Sequence, residues 1–157
     1  MTPGINAAKK AGVQHRLHEY HHDVAHASYG LEAAEKMGVP AGQVFKTLVV
    51  ALDSKELAVG IVPVTHQLNL KQMARAAHSK KAAMAAAADV QRSTGYVLGG
   101  VSPLGQKKRL PTFIDTSARE HDSIYVSAGR RGLEIELSAD DLCKLTGGAF
   151  ADLTDAG

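Results

Sequence analysis

Val44-Phe45-Lys46-Thr47-Leu48-Val49-Val50-Ala51-Leu52 and Leu57-Ala58-Val59-Gly60-Ile61-Val62-Pro63-Val64 carry the strongest strand signals in the chain. Both are rich in β-branched residues, and the polar link Asp53-Ser54-Lys55-Glu56 is short enough for a hairpin, so the two runs pair antiparallel. Period-2 alternation places Lys46 on the same face as Val44, Leu48 and Val50. A charge has thus entered an apolar face. An unpaired ammonium is costly to bury, so Lys46 either snorkels from the strand end or faces a polar cleft. A cleft lysine can hold a phosphate or a ribose, or polarise an ester carbonyl.

Upstream of this hairpin, Thr2-Pro3 before an alanine- and lysine-containing stretch ending at Gly12 has the order of a capped helix. Residues 14 to 20 read as a polar strand near a sheet edge. Ser28 precedes a helical stretch with Leu31, Ala34, Glu35 and Gly38 at one-turn spacing, which Gly38-Val39-Pro40 ends. Downstream, Asn69 starts a helix with Gln72 as its capping-box partner and Leu70, Met73, Ala74 and Ala77 as the buried stripe. An alanine-rich helix is expected from Ala85 to Ser93. Tyr96 to Val101 reads as a strand interrupted by Gly99-Gly100, followed by the loop Ser102 to Gln106 and a strand from Arg109 to Asp115. Ser123 to Ser127 and Leu133 to Leu137 form a second hairpin, with Ala128 to Gly132 as a five-residue connection. A last helix follows Ser138, with Asp141 in its first turn and Leu142 and Leu145 inward, and stops at Gly147-Gly148. Six or seven strands and four or five helices in this irregular order predict an α+β (mixed α/β) fold, a mixed sheet with helices packed around it.

At 157 residues and 45% apolar content, the chain is expected to be one domain, 1–157, able to build a core without disulfides or structural metal. Cys143 has no partner, no secretory signal is readable at the N-terminus, and no apolar run approaches the ~20 residues that cross a bilayer. A cytoplasmic protein without a membrane span is the expectation. The net charge is only +2, yet residues 71 to 131 hold 11 Lys and Arg against four acids, or +7, while the remainder has seven basic against twelve acidic residues, or −5. Such asymmetry is either a phosphate-binding face or solubilising surface charge. Lys107, Lys108, Arg109, Arg130 and Arg131 are the candidates for nucleic-acid contact.

Gly99-Gly100-Val101-Ser102-Pro103-Leu104-Gly105-Gln106 offers backbone amides that could meet a developing oxyanion, though glycines also occur in ordinary turns. The run matches neither the Walker phosphate loop nor the dinucleotide fingerprint. His15, His18, His21, His22 and His26 cluster near the start; His22 and His26 would suit a metal on one helix face, but the default is a polar strand and loop, so no metal and no cofactor is predicted. There is no Gly-x-Ser-x-Gly elbow, and Cys143 lies on an amphipathic helix where packing explains it. A hydrolase built on this chain must activate water or use a group on its substrate.

The runs Val44 to Val50, Gln91-Arg92-Ser93-Thr94-Gly95-Tyr96, Gly99 to Pro111 and Arg131-Gly132-Leu133-Glu134-Ile135-Glu136-Leu137 resemble the YbaK/EbsC family over nearly the whole chain. Related domains form the editing insertion of bacterial prolyl-tRNA synthetases. The resemblance implies a strongly curved, largely antiparallel mixed sheet and trans-editing of Cys-tRNA(Pro), with Cys-tRNA(Cys) as a further substrate. The substrate's own thiol would attack the ester and leave as a thiolactone. By position it places the essential lysine on Lys46, with Tyr20 and Thr47 as pocket residues, and the glycine-x-x-x-proline loop on Gly99 to Pro103. Ser127 and Glu134 fall where the family has a pocket serine and an aspartate. The implied roles are Lys46 on the terminal adenosine or its phosphate, the Gly99 and Gly100 amides on the carbonyl oxygen, and Tyr20, Ser102, Pro103 and Ser127 as pocket walls. Aminoacyl-tRNA is the implied partner, with prolyl-tRNA synthetase in a ternary complex. Two other readings stay open: a deacylase for Ala or Ser that uses water, and a tRNA- or synthetase-binding module without turnover.

Overall fold

The structure, a computed structural model, describes residues 1–23 and 29–155. Ser28 and His26, singled out from the sequence, lie outside the described residues. Eight strands run in chain order as β1 (Arg16–Glu19), β2 (Phe45–Leu52), β3 (Leu57–Pro63), β4 (Ala82–Met84), β5 (Thr112–Asp115), β6 (Ile124–Arg130), β7 (Leu133–Leu137) and β8 (Ala149–Ala151). The helices are α1 (Pro3–Ala11), α2 (Tyr29–Met37), α3 (Leu70–Ala76), α4 (Ala87–Thr94) and α5 (Ala139–Thr146). The expected mixed α/β architecture is present, with the strands in two groups. A five-stranded mixed sheet has the order β4-β2-β3-β5-β8, and an antiparallel three-stranded sheet the order β1-β7-β6. A parallel bridge between Val44 and Tyr125 ties the two together.

The main core lies between the sheets. Phe45, Val49 and Ile61 from the larger sheet meet Ile124, Val126, Ile135 and Leu137 from the smaller one, with Ile5 and Ala8 of α1 packed alongside. On the other face of the larger sheet, Val50 and Val62 pack with Met73 of α3 and Leu153. β2 is therefore apolar on both faces and central, as its sequence demands. Side-chain caps set the helix starts: Thr2, Asn69 and Ser138 accept hydrogen bonds from the N–H groups of Ile5, Gln72 and Asp141, each worth about 1 kcal/mol. Gly12 and Gly147 close α1 and α5 in the left-handed region. Among the described residues no helix is long and apolar enough to cross a membrane.

Several boundaries differ from the sequence reading. Tyr96 to Val101 is not a strand; Gly99 has φ of 92° and the Gly100 N–H bonds back to Val97 O at 3.0 Å, which closes a turn. β5 starts at Thr112 instead of Arg109; Pro111, lacking an N–H, cannot extend the ladder on the donor side. β6 continues to Arg130 through an irregularity between Ser127 and Arg130, so the predicted five-residue connection shrinks to a tight turn at Arg131-Gly132. The capping box is half formed, because the Asn69 N–H bonds to Leu153 O and Gln72 Oε1 has no partner among the described residues. The three-residue strands β4 and β8 are too short to display a period in the sequence.

Candidate functional site

The end of β2 that bridges to the smaller sheet forms the floor of a cavity of about 280 Å³. Phe45, Lys46, Thr47 and Leu48 supply the floor, Ser127, Arg130, Arg131 and Glu134 come from the β6–β7 hairpin, Leu98 and Gly99 from the turn after α4, and Tyr20 from the end of β1. Gly30 and Ala33 of α2, with Val64 and Val101, complete the described wall. The volume is at the small end of ligand pockets, enough for an amino acid and part of a nucleoside.

Gly30 is required by close approach of α2 to the sheet. A Cβ there would lie 2.2 Å from Val64 Cγ1 and 2.9 Å from Val64 Cβ, and Val64 is β-branched and cannot swing away cheaply. Gly30→Ala is expected to lower stability by about 1–3 kcal/mol through overpacking, read as a reduced urea midpoint; an unchanged midpoint would mean that α2 can retreat freely.

Lys46 lines the cavity, so the cleft alternative holds over snorkelling. It is half-buried, burial pulls its pKa down, and it makes no hydrogen bond or ion pair among the described residues. Across the cavity Glu134 is buried, and desolvation pushes its carboxyl up to about 8, leaving it mostly neutral at pH 7. The Tyr20 phenol is pushed up to about 12, first by burial and then by the Glu134 charge, so it stays a hydrogen-bond donor. Thr47 Oγ1 is buried without a partner among the described residues. Ser127 Oγ accepts from the Gly129 N–H at 3.2 Å. The cavity therefore offers one cation without a counter-ion, a neutral carboxyl, a phenol and two small hydroxyls. Its described lining contains no His and no Cys.

Other candidates fall elsewhere. The Gly100 amide is committed to Val97, and a Cβ on Gly100 would sit 3.0 Å from Arg130 Cα. Gly100 thus seats the turn on the β6–β7 hairpin, and Gly99 is the glycine at the cavity. Ser102 and Pro103 are buried behind that turn, where Ser102 Oγ accepts from the Leu104 N–H at 3.1 Å; they brace the loop and do not line the cavity. Lys107, Lys108 and Arg109 are exposed and border separate depressions. Arg109 Nε also donates to Thr146 O, 3.4 Å away, at the end of α5. Within the basic segment, Arg119 stacks on the Phe150 ring at 3.9 Å and Arg92 pairs with Asp89 at 3.0 Å, so its +7 charge converges at the cavity only through Arg130 and Arg131. Cys143 donates to Gly148 O and burial pushes its thiol up, in keeping with packing. His22 is bonded to Glu32, a residue the sequence reading passed over. Glu32 is followed four residues later by Lys36, a spacing that looks like an ordinary surface pair.

Comparison with known proteins places this geometry. Residues 25–145 match the family of the aminoacyl-tRNA editing domain. EbsC of Enterococcus faecalis, named as a proposed Cys-tRNA(Pro)/Cys-tRNA(Cys) deacylase, is 38% identical over 144 residues, covering 90% of this chain and 88% of that protein. A crystal structure described as a proposed trans-editing enzyme for prolyl-tRNA synthetase superposes with a TM-score of 0.86 at 23% identity, covering 99% of both chains. The hypothetical protein APE2540 gives a TM-score of 0.86 at 25% identity over 98% of this chain and all of that one. The fold, the cavity and the match over most of its length make this chain a member of the aminoacyl-tRNA editing domain family, of the YbaK/EbsC type.

Proposed function

We propose that the protein is a trans-editing deacylase acting on Cys-tRNA(Pro), and also on Cys-tRNA(Cys), with the substrate's thiol as nucleophile. The observation that carries this reading is a small cavity with an unpaired lysine and, among its described lining, no residue pair able to act as nucleophile and base. Ser127 and Thr47 hydroxyls have no histidine beside them in that lining, and Glu134 is largely protonated near neutrality, so neither hydroxyl is activated.

In the proposed reaction the cysteine Sγ attacks its own ester carbonyl carbon. The S–C bond forms, the ribose C–O bond breaks, and the thiol proton ends on the ribose hydroxyl. The products are a four-membered thiolactone and deacylated tRNA, and the thiolactone then hydrolyses in water to cysteine. The protein's part is orientation and charge. Holding the thiol against the carbonyl supplies proximity, the Gly99 N–H meets the developing oxyanion, and Lys46 holds the terminal nucleoside or its phosphate. Tyr20 and Ser127 shape the amino-acid end. A docked prolyl-tRNA synthetase would supply tRNA selection, a partner suggested by the described role of the structural neighbour.

Single-turnover deacylation of Cys-, Ala- and Ser-charged tRNA(Pro) tests the mechanism. Cys-tRNA is expected to react at least about 10²-fold faster than Ala-tRNA, a fraction of the advantage that intramolecular attack can give. Equal rates on the two would defeat thiol attack and favour water.

A further inference from the structure

Glu32, in the middle of α2, is fully buried. Its Oε1 lies 2.9 Å from His22 Nδ1 and 3.7 Å from an Arg131 Nη2, while its Oε2 accepts from the Asp23 N–H at 2.8 Å and lies 3.7 Å from Lys36 Nζ. Burial, the largest single influence, would raise its pKa, but the hydrogen bonds from His22 and Asp23 and the electrostatic attraction of His22 and Lys36 together outweigh it and hold the carboxyl below its usual range. A buried carboxylate is kept only with such compensation, and packing α2 against the sheet does not require one. Neighbouring Ala33 and Ala34 already do that packing.

The side chains that Glu32 fixes are those at the mouth of the cavity. His21, His22, Arg130 and Arg131, with Tyr20 and Glu19, line a shallow trough that shares Tyr20, Arg130 and Arg131 with the cavity. Glu19, 3.7 Å from Arg130, is the carboxylate on the trough's described rim, and it is largely exposed. An aminoacyl ester seated in the cavity is joined to a nucleotide whose phosphodiester must leave through this mouth. A guanidinium held in place can meet a phosphate with two parallel hydrogen bonds.

We infer that Glu32 is a positioning residue that holds Arg131, with His22 beside it, as an anion subsite for the phosphodiester of the substrate's terminal nucleotide. This rests on the deacylase reading above and adds to it the place where the nucleic-acid backbone is gripped.

The test compares Cys-tRNA(Pro) with 3′-O-cysteinyl adenosine, which has the ester and the nucleoside but no phosphate. Glu32→Gln is expected to raise KM for Cys-tRNA about tenfold with little change in kcat, and to lose much less on the cysteinyl adenosine. Arg131→Gln should do the same and reduce the slope of log KM against log salt by about one. Adding Glu32→Gln to Arg131→Gln should cost little more, since both act through one contact. Equal losses on both substrates, a loss confined to kcat, or additive effects in the double variant would overturn the inference. Should Glu32→Gln fail to fold, Arg131→Gln decides alone, because it leaves Glu32 its His22 and Lys36 partners; an unchanged KM and salt slope would then overturn it. Wild-type protein inactive on both substrates would instead remove the deacylase reading.

Discussion

Lys46→Ala is expected to slow single-turnover deacylation of Cys-tRNA by about 10²- to 10³-fold, the loss typical of removing one preorganised electrostatic contact to a reacting substrate. The same variant should be at least as stable as the wild type. Lys46 carries no ion pair or hydrogen bond among the described residues, and burial pulls its pKa down, so the folded protein bears a desolvation cost without a structural return. Because the side chain is only half-buried, solvent screening keeps the gain small, between roughly 0 and 1 kcal/mol. Urea denaturation alongside the kinetics separates the outcomes. Full activity would take Lys46 out of the mechanism, and a large drop in urea midpoint would make it a structural residue.

Glu134→Gln is expected to stabilise the protein at alkaline pH. The Glu134 carboxyl is raised from 4.5 to about 8 by burial in the cavity wall. Between these values the native state binds more protons than the unfolded chain, so stability falls as pH rises through that window. The neutral carboxyl's advantage is complete below about pH 4.5 and gone above about pH 8. At pH 9 the wild type holds an ionised carboxylate in a poorly solvated site, whereas the glutamine variant does not. The variant should be more stable there by an amount on the order of a few kcal/mol, with the difference shrinking toward pH 5. Parallel stability curves for the two proteins from pH 5 to 9 would mean that Glu134 titrates normally. Below pH 8 Glu134 does little to offset Lys46, which has no counter-ion among the described residues.

The architecture was legible where the strands were long and the caps explicit. β2 and β3 are long, mostly apolar runs of eight and seven residues, and Thr2, Asn69 and Ser138 sit where a cap must. Lys46 could be found because it breaks an apolar face. Glu32 could not, since on α2 its neighbour Leu31 looks like the core residue. In the fold Leu31 is 44% exposed and Glu32 is fully buried, an inversion set by His22 and Arg131, which reach Glu32 from the end of β1 and from the β6–β7 turn. Periodicity within one helix holds no information about charges arriving from elsewhere. The glycine loop misled for a related reason. Gly99 and Gly100 are indistinguishable in sequence, but one faces the cavity and the other seats against Arg130, a choice made by the hairpin beneath them.

The first turn of α1 and the β6 backbone meet under that same loop: Thr2 Oγ1 donates to Ala128 O, 126 positions later in the chain, and a Cβ on Gly105 would lie 2.4 Å from Pro3 O. β1 likewise has β7 as its partner in the sheet. These long-range contacts of α1 and β1 wait for β6 and β7 to be in place. The β2–β3 hairpin can form early because its contacts are local, whereas the cavity, lined by Tyr20, Lys46, Gly99 and Glu134 among others, is complete only once β7 has joined the fold.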